Sequence, residues 1–309
     1  MNVQLDLRCP SCGEPAMADD EFCESCGSVI DGRRRADRDH EELDLGVVAA
    51  VSDRGLVHER NEDAFLIDGG ATWIVAVVCD GVSSSAAPHV AARVAADAAG
   101  NRLVPPTTPD ADPLLRSDAT TAVGAAMGVA DAAVRAVPWM ATTGRDAPSC
   151  TVAMATWDGS TVTVGWAGDS RAYWIDEHEA RRLTSDHSWA QQEVDAGRMS
   201  VAAAEADARA HVITRWLGDD APTVPPAVAT FRPGGRGRLV VCTDGLWNHL
   251  STAGALAAAM AELDGRRPID VARSLTDRAL AAGGQDNITV AVIDIEPTGP
   301  PTGGGGERA

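Results

Sequence analysis

No lysine occurs anywhere in the chain, and all 26 of its basic residues are arginine. Nothing physical forbids lysine on a protein surface, so this reads as compositional bias rather than a functional signal. Positive charge is scarce altogether: 45 carboxylates against 26 arginines leave a formal net charge of −19. Such a surface repels phosphate backbones, which argues against non-specific nucleic-acid binding. No run of about 18 apolar residues is present, so no membrane-spanning helix is expected. The opening MNVQLDLRCP lacks the basic start and apolar stretch of a secretory signal, and a cytoplasmic location is the expectation. No internal repeat is visible, and no Cys-x5-Arg loop of the kind used by cysteine phosphatases.

What remains is a globular composition. Of 309 residues, 45% are hydrophobic, enough for one large core with an appendage. Cysteine divides the chain. Cys9, Cys12, Cys23 and Cys26 crowd the first segment, while Cys79, Cys150 and Cys242 lie singly in or beside apolar strand-like stretches. An odd total of seven without a signal argues against a disulfide framework. The later three read as small buried thiols.

Two C-x2-C knuckles can present four thiolates to one tetrahedral ion, which predicts a structural zinc. Gly13 and Gly27 follow each knuckle's second cysteine, where a tight turn tolerates positive φ. A redox CxxC pair would want a βαβ context that the sequence lacks. Residues 1–28 are therefore read as a zinc-ribbon module and 29–44 as a charged linker. Residues 45–296 are read as the main domain and 297–309 as a flexible tail.

Within the main domain, β-branched runs such as TWIVAVVCD, TVTVGWAGD, RLVVCTD and NITVAVIDI alternate with Ala-rich helical stretches. Strict βαβ alternation is absent, so a mixed α+β architecture is expected, two packed sheets with helices outside. Carboxylates recur at strand ends: Glu62 and Asp63 open AFLID, Asp80 ends VVCD, Asp169 ends WAGD, Asp244 follows VVCT, and Asp286 precedes NITV. One Asp-Gly pair is an ordinary turn. Five sites with the same grammar point to a cluster, and clustered carboxylates repel unless a cation lies between them. Oxygen-only ligands favour magnesium or manganese.

The ordered motifs SDRGLVHERNEDAF, VVCDGVSSS, TVGWAGDSRAYWI, LTSDHS, HVITRWLG, VVCTDGLWNHLS and GGQDNITVAVI resemble the metal-dependent protein phosphatase (PPM, type-2C) family, especially its compact bacterial members. The resemblance spans roughly residues 45–295. It implies a β-sandwich of two antiparallel sheets flanked by helices (αββα), and hydrolysis of phosphoserine and phosphothreonine by a metal-activated water. The substrates implied are phosphoproteins made by a serine/threonine kinase. By the same resemblance Asp80 bridges two manganese or magnesium ions and Gly81 offers its carbonyl to one. Asp244 and Asp286 complete the other ion's protein ligands, Glu62 and Asp63 stand where the family places acidic residues beside the second ion, and Asp169 serves a third, weaker ion. Asn287 is expected to support the ligand loop. Two such cations can lower the pKa of a shared water and stabilise charge on phosphoryl oxygens.

Two positions depart from the family. Where it places a phosphate-binding arginine, four residues before the motif's glutamate, this chain has His58, with Arg60 and Arg54 nearby. After Asp80-Gly81, where glycines and often histidine are usual, it has Val82 and Ser83–Ser85. His58 or Arg60 is the candidate for holding phosphate, and leaving-group protonation is expected from water. These departures also keep open a scaffold reading, a weak or inactive phosphatase fold that docks partners through the zinc ribbon. Residues 186–218 are expected to form a helical flap beside the site.

Overall fold

The computed structural model describes residues 39–70, 72–105, 118–141, 144–222 and 226–297, together with the backbone of two short strands nearer the N-terminus. Those two, β1 (Leu7–Arg8) and β2 (Pro15–Ala16), pair antiparallel. Cys9, Cys12, Cys23 and Cys26 lie outside the described residues, and so does most of the segment read as a linker.

Along the main domain, β3 (Glu41–Asp44), β4 (Val48–Asp53), β5 (Asp63–Gly69) and β6 (Ile74–Asp80) lead into α1 (Pro88–Leu103) and α2 (Ala119–Arg135). Then come β7 (Ser149–Cys150), β8 (Val152–Trp157), β9 (Val162–Ala167), β10 (Arg171–Ile175) and β11 (Ala180–Arg182). Two short helices follow, α3 (Trp189–Asp195) and α4 (Val201–Glu205). After them the chain runs through β12 (Leu217–Gly218), β13 (Ala227–Phe231), β14 (Gly237–Cys242) and the single turn α5 (Asp244–Trp247). It closes with α6 (Ala253–Ala261), α7 (Pro268–Ala281) and β15 (Ile288–Ile295).

These strands form two antiparallel sheets, in the orders β11–β10–β14–β15–β4–β3 and β13–β9–β8–β6–β5, plus a small β12–β7 pair. Period-2 alternation assigns each side chain to a layer. In β4, Val48 and Ala50 face the core between the sheets, where Phe65, Trp157, Trp174 and Leu239 also lie. Ala49 and Val51 face outward onto Ile269, Leu275 and other residues of α5–α7. On the far side, Val75 and Val77 of β6 pack against Ala91, Ala95 and Ala99 of α1 and Val123 of α2. The result is the αββα order expected from the strand and helix pattern. Burying a Val, Leu or Ile side chain contributes about 1.5–3 kcal/mol, so the two outer layers are as important as the middle one. The alanine face lets α1 sit close: a Cβ on Gly100 would lie 2.3 Å from Leu66 Cδ2. Among the described residues no helix is long and apolar enough to cross a membrane.

One boundary is corrected. Glu41–Asp44, read from sequence as the end of the linker, form the edge strand β3 on β4, in the register Glu41↔Ser52 to Asp44↔Ala49. Its side chains are exposed, so no hydrophobic pattern announces it. Arginines on both outer layers hold it instead. Arg93 of α1 reaches Glu41 at 2.7 Å, Arg273 of α7 reaches Glu42, and Arg267 reaches Asp44 at 3.1 Å.

Candidate active site

Five of the strand-end aspartates come together at one edge of the sandwich. Asp63 and Asp80 are cross-strand partners, at the start of β5 and the end of β6. Asp80 is influenced electrostatically by Asp63, Asp244, Asp286 and Asp169, and burial together with these charges holds its carboxyl well above the usual range. Asp244, first residue of α5, is raised in the same way by burial and then by Asp169, Asp286 and Asp63. Gly81 lies tight against its surroundings: a Cβ there would meet Pro88 O at 2.5 Å and Glu62 O at 2.8 Å.

Asp63 is fixed from beneath by hydroxyls. Thr243 Oγ1 and Thr289 Oγ1 both donate to Asp63 Oδ2 at 2.8 Å. Thr289's one hydroxyl proton is thereby committed, so Ser52 Oγ is the donor in the 2.7 Å contact between them. Ser52 in turn accepts from Asn61 Nδ2 at 2.8 Å. The two donors to Asp63 lower its pKa, yet burial outweighs them and pushes it up to about 7.

Asp286 lies half-buried on the loop before β15. Asn287, next to it, ties that loop to the segment carrying Glu62. Its Oδ1 accepts from Glu62 N at 2.7 Å, and its Nδ2 donates to Arg54 O (2.7 Å) and Arg60 O (3.1 Å). Gly55, at φ +77°, presses on the same loop, with space for a Cβ removed by Asp286 O at 2.1 Å. Only glycine fits that turn.

Asp169 follows Gly168 in the β9–β10 turn. Burial and the Asp186 carboxylate raise its side chain to about 7. Trp247 Nε1 donates to Asp169 O at 2.9 Å, and Arg171 stacks 3.7 Å over the Trp247 ring while binding Asp186 at 2.6 Å. The flap expected over 186–218 contains α3 and α4, with Arg209 lying 3.9 Å over the Trp189 ring.

His58 and Arg60 go to different places. His58 Nε2 is 3.2 Å from Asp286 Oδ1, so it joins the carboxylate cluster. Arg60 Nη1 turns to the His89 ring at 2.8 Å, at the start of α1. In the serine loop, Ser83 Oγ donates to Glu62 Oε2 at 2.6 Å, and Arg145 donates to Ser85 O at 3.0 Å. Sequence reasoning missed Thr243, Thr289, Ser52, Asn61 and Arg145. Hydroxyls inside strands look like ordinary β-formers; the one available signal was that Thr243 immediately precedes Asp244.

Whether the site fits divalent cations can be judged from its orphaned atoms. Asp63 Oδ1 and Asp244 Oδ1 are buried without a hydrogen-bond partner. A buried acceptor left so is costly, and a carboxylate among carboxylates more so. Among the described residues no three carboxylate, imidazole or thiol groups are drawn around one point tightly enough to hold an ion as placed. The donor set is nevertheless all oxygen and strongly anionic, with two acceptors aimed at nothing else, and that is what magnesium or manganese requires.

Fold and site together define a phosphatase family. The chain belongs to the protein phosphatase 2C family, whose profile matches residues 56–273. It is 30% identical over 247 residues, 80% of its length, to the serine/threonine protein phosphatase PstP of Mycobacterium tuberculosis, and spans 44% of that relative's length. The solved catalytic domain of PstP in complex with two manganese ions matches with a TM-score of 0.62 at 27% identity, covering 81% of this chain and 98% of that one. The S. agalactiae serine/threonine phosphatase shares the fold, with a TM-score of 0.69 at 22% identity over 81% of this chain and 99% of that one.

Proposed function

We propose that the chain is a metal-dependent protein serine/threonine phosphatase. The observation that carries this reading is the gathering of Asp63, Asp80, Asp169, Asp244 and Asp286, with two buried oxygens that no protein group satisfies. Family membership and the name of the PstP relative support the choice of substrate, phosphoserine or phosphothreonine on proteins.

In this reading Asp80 and the Gly81 carbonyl would help hold two manganese or magnesium ions. Asp244 and Asp286 would hold one ion, Glu62 and Asp63 would stand beside the other, and Asp169 would hold a third more weakly. Bound there, the cations supply the positive charge that makes water nucleophilic at neutral pH and stabilises phosphoryl oxygens. The protein's own part is positioning. Thr243 and Thr289 fix one oxygen of Asp63 so that the other faces the site. Asn287 locks the Glu62 segment onto the Asp286 loop. His58, set against Asp286, stands where substrate phosphate is held in the family, and as a single-point donor it binds phosphate less well than an arginine fork.

The test is turnover of p-nitrophenyl phosphate and a phosphothreonine peptide, with manganese and with chelator. Metal-dependent turnover that Asp244→Asn reduces by about two orders of magnitude or more is expected, as for loss of a principal electrostatic group. Turnover indifferent to chelator, or undiminished in Asp244→Asn, overturns the proposal.

The N-terminal part of the reading rests on spacing alone. Cys9, Cys12, Cys23 and Cys26 would hold one structural zinc as a ribbon over residues 1–28, joined to the phosphatase domain by the residues that follow. Elemental analysis should give one zinc per chain, lost in Cys9→Ser. The remaining cysteines, Cys79, Cys150 and Cys242, are free and buried, as suits a reducing cytoplasm where kinase-made phosphoproteins are found.

A further inference from the structure

The backbone N–H and the whole side-chain amide of Asn61 are engaged. Its backbone N–H donates to Asp39 Oδ2 at 3.1 Å, and its Nδ2 donates both to Asp39 O (3.1 Å) and to Ser52 Oγ (2.8 Å). Its Oδ1 accepts from Asp63 N at 3.1 Å. Asn61 is thus the joint between two things. On one side is the segment Asp39–Asp44, whose strand β3 is bound by arginines of both outer layers. On the other is the Glu62–Asp63 pair at the carboxylate cluster. His40 adds a second tie, its Nδ1 lying 2.8 Å from Asp53 Oδ2, while Asp53 Oδ1 accepts from Gly55 N at 2.9 Å.

Packing does not duplicate this joint. A cavity of about 450 Å3 lies between the segment and α1, lined by Asp39, His40, Asn61, Asp63 and His89 among others. Hydrogen bonds, not close-packed side chains, hold the joint on that side.

We propose that Asp39 and Asn61 are positioning residues for the Glu62–Asp63 side of the metal site. Residues 39–44 are then a strap that sets divalent-cation affinity. This rests on the proposed metal site. An oxygen ligand held by its own partners binds more tightly than a mobile one, and removing such a partner typically costs about 10- to 100-fold in affinity. Asp39 acts through Asn61, one bond further away, so the lower end of that range is expected.

The test uses the full chain and two substitutions at position 39. Asp39 adopts a left-handed backbone, φ 46°. Asp39→Gly keeps that conformation cheap while removing the acceptor, and Asp39→Asn keeps both the conformation and an acceptor oxygen. Manganese affinity by calorimetric titration should fall about tenfold in Asp39→Gly and stay near wild type in Asp39→Asn. Amide exchange at Asn61–Asp63 of the chelated protein should quicken in Asp39→Gly alone. If Asp39→Gly folds normally yet keeps wild-type manganese affinity and loop exchange, the strap is structural only and the proposal fails.

A second measurement needs no variant. By linkage, manganese binding must slow exchange of the strap amides of wild-type protein if strap and site are coupled. Strap exchange that is identical with manganese and with chelator overturns the proposal, even should Asp39→Gly not fold. Because binding and exchange are read directly, a protein that binds manganese without phosphatase turnover would sink the proposed activity and leave this inference standing.

Discussion

Thr289 Oγ1 donates to Asp63 Oδ2 over 2.8 Å of space and 226 positions of sequence. That single bond joins the last strand of one sheet to the first strand of the other at the edge where the carboxylates gather. Thr289→Val removes the donor at nearly constant shape and leaves a buried carboxylate oxygen with one partner, Thr243, instead of two. Stability to denaturant in chelator should fall by about 1–3 kcal/mol. Manganese titration should weaken in parallel, since the free oxygen of Asp63 is no longer aimed. A loss of stability with unchanged manganese affinity would mean that Asp63 needs no orienting.

The cluster sets stability against function. In chelator, the half-buried Asp80 feels the charge of four other carboxylates. Asp80→Asn removes that repulsion, so the variant should be more stable than wild type when both are metal-free. A gain of about 1 kcal/mol would raise the thermal midpoint by about 2–4 °C for a domain of this size. Manganese at 100 times its Kd should stabilise wild type by about 2.7 kcal/mol and the variant much less. Calorimetric scans with and without manganese check both signs.

At the phosphate end, His58→Arg should lower KM for p-nitrophenyl phosphate by about three- to tenfold, the net worth of one additional solvent-exposed hydrogen bond of about 0.7–1.4 kcal/mol. His58 has Asp286 at 3.2 Å, and an arginine there keeps that carboxylate as a partner while offering a fork. Steady-state kinetics at saturating manganese give the answer. An unchanged KM would place the phosphate contact elsewhere.

The strap's attachment to the domain has a defined pH window. His40 is held above its usual 6.5, first by its hydrogen bond to Asp53 and then by Glu42, so its contribution is present below 6.5 and lost as pH climbs through the raised value. Glu42 is drawn from 4.5 down to about 2, first by the Arg273 guanidinium, so its contribution is present above 4.5 and lost as pH falls toward 2. Protection factors of the β3–β4 amides, corrected for intrinsic exchange, should therefore be greatest between pH 4.5 and 6.5. Arg273→Gln should shrink the acid-side decline, leaving the part that His40 supplies, and keep the alkaline one.

The sequence carried the site further than it carried the strap. Asp80, Asp244 and Asp286 were legible because each stands at one end of an apolar run, and run-ends on one side of a sandwich share an edge. Sandwich and outer helices followed from the period of the apolar residues. β3 was not legible. EELD has no buried face, and it becomes a strand only because β4 offers an open edge and arginines far along the chain supply counter-charge. Arg60 shows the same limit. Its place in the motif suggested phosphate, but its direction depends on His89, 29 residues away on a helix.

Trp247 ends the helical turn that Asp244 begins, and its ring nitrogen is bound to the Asp169 backbone. Arg171 covers one side of the indole and His211 stacks at 6.0 Å. Whatever shifts Asp244 or Asp169 therefore shifts the surroundings of a chromophore. The site carries its own chromophore, and its response to cation uptake is the part of the tryptophan emission change that Trp247→Phe abolishes against the other seven indoles.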